Sequence, residues 1–141
     1  MIKKEFVYKS ISESENKMLD DVEMFLDENK ISGELKNRFM LCVSEAFTNA
    51  LVHGNKLDPN KEIKIKYMLS NTTLNADVID EGHGGVEKVN KRKRPELLAE
   101  SGRGVGLIKH YSSSFVISEN EEGGLQLKIV FEINKERVNC T

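Results

Sequence analysis

Glu45 and Asn49 stand four residues apart in the stretch SEAFTNALVHGN, residues 44–55. On a helix that spacing puts both side chains on one face, with about 5–6 Å between their Cβ atoms. The neighbours, Ala46, Phe47, Ala50, Leu51 and Val52, are those of a buried helix. An acid in such company must be solvated, paired or functional. Asn49 offers an amide oxygen, a hard ligand suited to Mg²⁺, and Glu45 offers a carboxylate that can take a proton from a hydroxyl. The competing reading is a solvated helix face, with Thr48 and Asn49 hydrogen-bonding locally.

Two further stretches hold polar residues where a plain core would not. In VIDEGHGG, a run rich in β-branched residues ends in Asp80 and passes into Gly82, Gly84 and Gly85. An aspartate at a strand end can accept from an exocyclic amine, while the glycines let the backbone approach a flat ring. An ordinary Asp-Glu-Gly turn is the alternative. In SGRGVGLIKH, Gly102, Gly104 and Gly106 alternate before a candidate helix, with Arg103 and Val105 between them. Glycine amides leading into a helix N-terminus form an anion site, to which Arg103 adds a cation. The spacing G-x-G-x-G after PELLAES is not the dinucleotide fingerprint, which follows a strand, and no G-x-x-x-x-G-K-[ST] occurs. His53, His83 and His110 show no zinc spacing with the two cysteines.

The elements that must position these residues follow from periodicity. Ile2 to Lys9 alternates weakly and reads as a strand. Met18, Leu19, Val22, Phe25 and Leu26 have helical spacing within Ser14 to Glu28, and Gly33 breaks that pattern. A longer helix runs from Glu34 to about His53, with Gly54 as its stop and Pro59 in the turn. Ile63, Ile65, Tyr67 and Leu69 alternate with lysines, and Leu74, Ala76 and Val78 alternate toward Asp80, so the two strands form an antiparallel hairpin. Val105 to Tyr111 is a short helix, and Phe115 to Ser118 and Leu125 to Ile133 are the last strands. The order β-α-α-β-β-loop-α-β-β predicts an α+β two-layer sandwich, its mixed or antiparallel sheet covered by helices on one face.

The 141 residues fit one domain, 1–141, with 38% hydrophobic and 31% charged residues. A net charge of -2 gives no global attraction to nucleic acid or to an anionic membrane. The basic run Lys91 to Arg94 reads as a solvated loop. No signal peptide or membrane span is expected, and Cys42 and Cys140 make no disulfide framework. Those readings together point to a cytoplasmic protein.

Taken in order, E-x-x-x-N on a helix, D-x-G-x-G after a strand and G-x-G-x-G before a helix resemble the GHKL ATPase superfamily. More narrowly, VSEAFTNALVHGN, DEGHGG and ELLAESGRGVGLI look like the bacterial anti-sigma-factor serine/threonine kinases. The resemblance implies a fold of the Bergerat type and ATP and Mg²⁺ as cofactors. It implies Asn49 as the Mg²⁺ ligand, Glu45 as the catalytic base and Asp80 on the adenine amine. Gly82 and Gly84 would shape the base pocket. Gly102, Arg103, Gly104, Val105 and Gly106 would line the phosphates, Asn55 would be a phosphate-side contact, and about 82–101 would form the lid. The implied partners are a STAS-type anti-anti-sigma protein as substrate and a sigma factor, with a homodimer possible and no direct nucleic-acid or membrane contact. The alternative is a nucleotide-binding regulatory module that acts by contact, without kinase activity. The chain departs from the family at Leu125, where a threonine usually follows Gly-Gly, and at Ser112 to Ser114, in place of an acidic helix ending.

Overall fold

The computed structural model describes residues 1–82, 103–119 and 124–133. Its strands are β1 (Ile2–Lys9), β2 (Glu62–Leu69), β3 (Thr73–Asp80), β4 (Ser114–Glu119) and β5 (Leu125–Glu132). Its helices are α1 (Ser14–Glu28), α2 (Gly33–Thr48) and α3 (Arg103–Tyr111), and a π-turn (Asn49–Gly54) continues α2. The sheet runs β1-β2-β3-β5-β4, antiparallel at every pairing. The expected α+β sandwich is therefore present, with an antiparallel sheet.

The period-2 alternation decides what faces the helices. Ile63, Ile65, Tyr67 and Leu69 of β2 lie opposite Asp80, Val78, Ala76 and Leu74 of β3. All eight are buried. Leu127, Ile129 and Phe131 extend this inner face onto β5. Against it pack Met18, Val22, Phe25 and Leu26 of α1 and Phe39, Val43, Ala46 and Phe47 of α2. Rings interlock across the layers: Phe25 stacks on Tyr67 at 5.1 Å, and Phe39 meets Phe131 edge-on at 5.4 Å.

Helix α1 ends at Glu28, as its spacing predicts, whereas helix α3 starts earlier than expected. Helix α1 stops before Gly33, because Lys30 adopts φ 61° and donates to Asp27 O while Ile31 N–H reaches back to Leu26 O. That is a Schellman closure, with buried Ile31 supplying its apolar contact. Helix α3 begins at Arg103, two residues earlier than expected, so Gly104 and Gly106 lie within its first turns. Among the described residues no helix is long and apolar enough to cross a membrane.

Candidate nucleotide-binding site

Asp80 is the last inner-face residue of β3. The alternation that buries Leu74, Ala76 and Val78 carries its carboxylate to the helical side of the sheet, where it is 3% exposed. Its Oδ1 accepts the Leu125 N–H at 2.9 Å. The departure at position 125 thus leaves a main-chain donor on Asp80 whatever the side chain. Its Oδ2 lies against Gly54, the last residue of the π-turn, where no Cβ would fit.

Asn49 opens that same turn and is 6% exposed. Thr48 follows the local reading, its Oγ1 donating to Ser44 O at 3.0 Å. Asn49 does not, since its buried amide nitrogen has no hydrogen-bond partner among the described residues. A buried amide without a partner costs free energy unless a ligand completes it. Glu45 lies one turn earlier and is half-buried. The wide turn is closed by Asn55 N–H on Ala50 O at 2.8 Å, an i to i+5 bond. Such π segments recur at functional sites.

Helix α3 runs antiparallel to α2. Tyr111 sits under the Arg38 guanidinium at 5.3 Å, and Leu107 O faces Cys42 Sγ at 3.9 Å. One turn further along both helices, this register brings Arg103, the first residue of α3, beside Ala46. The N–H groups of the first turn of α3 have no intrahelical acceptor. A Cβ at Gly106 would meet nothing within 4 Å among the described residues, so their packing does not require glycine there. Cys42 is fully buried, and burial pushes its thiol up to about 12, which suits a packing residue.

The structure thus gathers Glu45, Asn49, Asp80 and the start of α3 (Arg103, Gly104, Val105, Gly106) around the end of α2. Gly82 follows Asp80 with φ 60°. Gly84, Gly102, most of the expected lid and the basic run Lys91 to Arg94 lie outside the described residues. Asn55 departs from its expected phosphate-side contact. Its carboxamide is 1% exposed and fully engaged inside the protein. Gly54 and the Leu125 main chain are the site members that spacing did not single out. The signals for Gly54 are its place directly after the helical pattern and its place in the stretch VSEAFTNALVHGN.

The residues present fit a magnesium nucleotide. Among the described residues no group of three His, Cys, Asp or Glu could hold a metal. Mg²⁺ is commonly bound through one or two protein oxygens, with phosphates and water completing its shell. Asn49 supplies one such amide oxygen near the start of α3, and its Nδ2, with no partner among the described residues, is left to donate to a ligand.

The histidine kinase-like ATPase domain family matches residues 12–131. An anti-sigma F factor of Shouchella clausii is 30% identical over 123 residues, covering 83% of this chain and 84% of that protein. One from Anoxybacillus flavithermus is 26% identical over 103 residues, 70% of each chain. A crystal structure of the RsbU and RsbW domains of a Mycobacterium tuberculosis protein superposes with a TM-score of 0.68 at 15% identity. It covers 93% of this chain and 32% of that one, and shares the fold.

Proposed function

This chain belongs to the histidine kinase-like ATPase domain family, and we propose that it is an ATP-binding anti-sigma factor with protein serine/threonine kinase activity. Its substrate would be a STAS-type anti-anti-sigma protein and its second partner a sigma factor. The curated relatives named anti-sigma F factor support the partner class. The observation that carries the reading is the π-turn, with the unpartnered Asn49 amide at one end and Gly54 against the Asp80 carboxylate at the other.

Phosphoryl transfer asks a protein for positioning and charge neutralisation rather than covalent chemistry. When bound, Mg·ATP supplies the phosphoryl group and the metal that neutralises its charge. Asn49 would ligate Mg²⁺ through its amide oxygen. Asp80 would accept from the adenine amine, its carboxylate already oriented by the Leu125 N–H. The N–H groups of Arg103 to Gly106 would face the phosphates. Glu45, one helical turn from Asn49, would orient the acceptor hydroxyl and take its proton.

The test mixes the protein with γ-labelled Mg·ATP and a STAS-type acceptor. Label should appear on an acceptor hydroxyl. Glu45→Gln should keep ATP binding and lose about 10²–10⁴-fold in transfer rate. ATP binding without transfer by the wild type would leave a regulatory module acting by contact. No ATP binding would overturn the reading.

A further inference from the structure

Asn55 makes four hydrogen bonds with one buried carboxamide. Its Oδ1 accepts the N–H groups of Glu81 at 3.0 Å and Gly82 at 3.1 Å. Its Nδ2 donates to Ser10 Oγ at 2.6 Å and to Glu62 O at 2.9 Å. Glu81 and Gly82 directly follow Asp80, so this single side chain holds the first two residues of the segment that would cover the base.

The backbone is bent at some cost to deliver it. The π-turn ends at Gly54, and Lys56 and Leu57 then adopt φ 53° and 58° in succession. Side chains with a Cβ disfavour that left-handed region. Such strain persists only where surrounding contacts over-determine it, and it clusters at functional sites. Here Asn55 N–H on Ala50 O and Leu57 N–H on Leu51 O, each at 2.8 Å, hold the bend. Two further bonds pin the same segment: Lys61 Nζ donates to Gly82 O, and the Glu81 carboxylate accepts the Glu62 N–H.

We infer that Asn55 is a positioning residue for nucleotide selectivity, locking the Glu81–Gly82 main chain in register with the Asp80 carboxylate. This deepens the ATP-binding reading and rests on it. The carboxamide is two-sided. Its oxygen serves the base-binding segment, and its nitrogen anchors to the ends of β1 and β2. Those two jobs can be separated.

The experiment titrates wild type, Asn55→Ala and Asn55→Asp with ATP and with inosine triphosphate, which carries a carbonyl where adenine has its amine. Thermal unfolding is followed in parallel. Wild type should prefer ATP by tenfold or more. Asn55→Ala should lose most of that preference. Asn55→Asp keeps an acceptor for both N–H groups but sets an oxygen against Glu62 O. It should therefore unfold at lower temperature yet retain the preference, a dissociation that a purely structural role does not produce. Should Asn55→Ala not fold, Asn55→Asp carries the test alone, and loss of preference in the folded protein overturns the inference. A wild type that discriminates, with Asn55→Ala discriminating equally, sinks the Asn55 role and leaves ATP binding standing. A wild type that binds neither nucleotide sinks both.

Discussion

A Cβ built on Gly54 would stand 2.1 Å from Asp80 Oδ2 and 2.6 Å from its Cγ. The end of the π-turn and the end of β3 therefore meet as bare backbone against carboxylate. Gly54→Ala must push the carboxylate aside or open the turn, at a cost of about 1–3 kcal/mol. ATP affinity should fall at least tenfold, read by calorimetric titration alongside thermal unfolding. Undiminished affinity in the folded variant would show that the close approach is irrelevant to binding.

Asn49→Ala should separate function from stability with opposite signs. Removing a buried amide that has no partner relieves a desolvation cost, so the nucleotide-free protein should be as stable as wild type or slightly more so. ATP titrations with and without Mg²⁺ should then show that the metal-dependent part of the affinity has gone. A clear drop in unfolding temperature would mean that the amide has a structural partner after all.

Asp80→Asn keeps an oxygen for the Leu125 N–H, so the fold should survive. The charged acceptor for the adenine amine is lost, and hydrogen bonds to charged groups are worth about 1.5–3 kcal/mol. ATP affinity should drop by about tenfold to a hundredfold. Equal ATP affinity in the two proteins would contradict the role assigned to Asp80.

Asp77 lies on the opposite face of the sheet, between Lys66 of β2 and Lys128 of β5. It is 7% exposed, and its Oδ1 has no hydrogen-bond partner among the described residues. Burial raises its carboxyl above the ordinary carboxylate value, and the two lysines only partly offset this. The folded protein therefore holds this proton more tightly than the unfolded chain. The contribution of Asp77 to stability is greatest below the ordinary carboxylate value and falls as pH rises through the raised one. Asp77→Asn should remove that slope and raise the unfolding temperature at neutral pH, as measured by thermal unfolding from acid to neutral pH. An unchanged slope would contradict the assignment.

Much of the molecule is legible from local pattern. The alternation Leu74, Ala76, Val78 placed Asp80 on the inner face before any partner strand was known, because side chains in a strand alternate whatever lies opposite. The helical spacing of Glu45 and Asn49 likewise put them on one face. The family expectation drawn from the three ordered motifs agrees with the match over residues 12–131. The hydrogen-bond set of Asn55 is not legible in local pattern. Its partners Ser10, Glu81 and Gly82 lie 26 to 45 positions away in the chain, and local propensity carries no information about which polar groups meet over such separations.

Local pattern carries the identity and orientation of the polar residues: which face each occupies, and that an acid and an amide stand among apolar helix residues. The tertiary structure alone decided which groups meet. The π-turn, the two left-handed residues after Asn55 and the antiparallel docking of α3 on α2 arise from packing and hydrogen bonds between distant segments. Periodicity reports the face a side chain takes, while the partner waiting there is chosen by the whole fold.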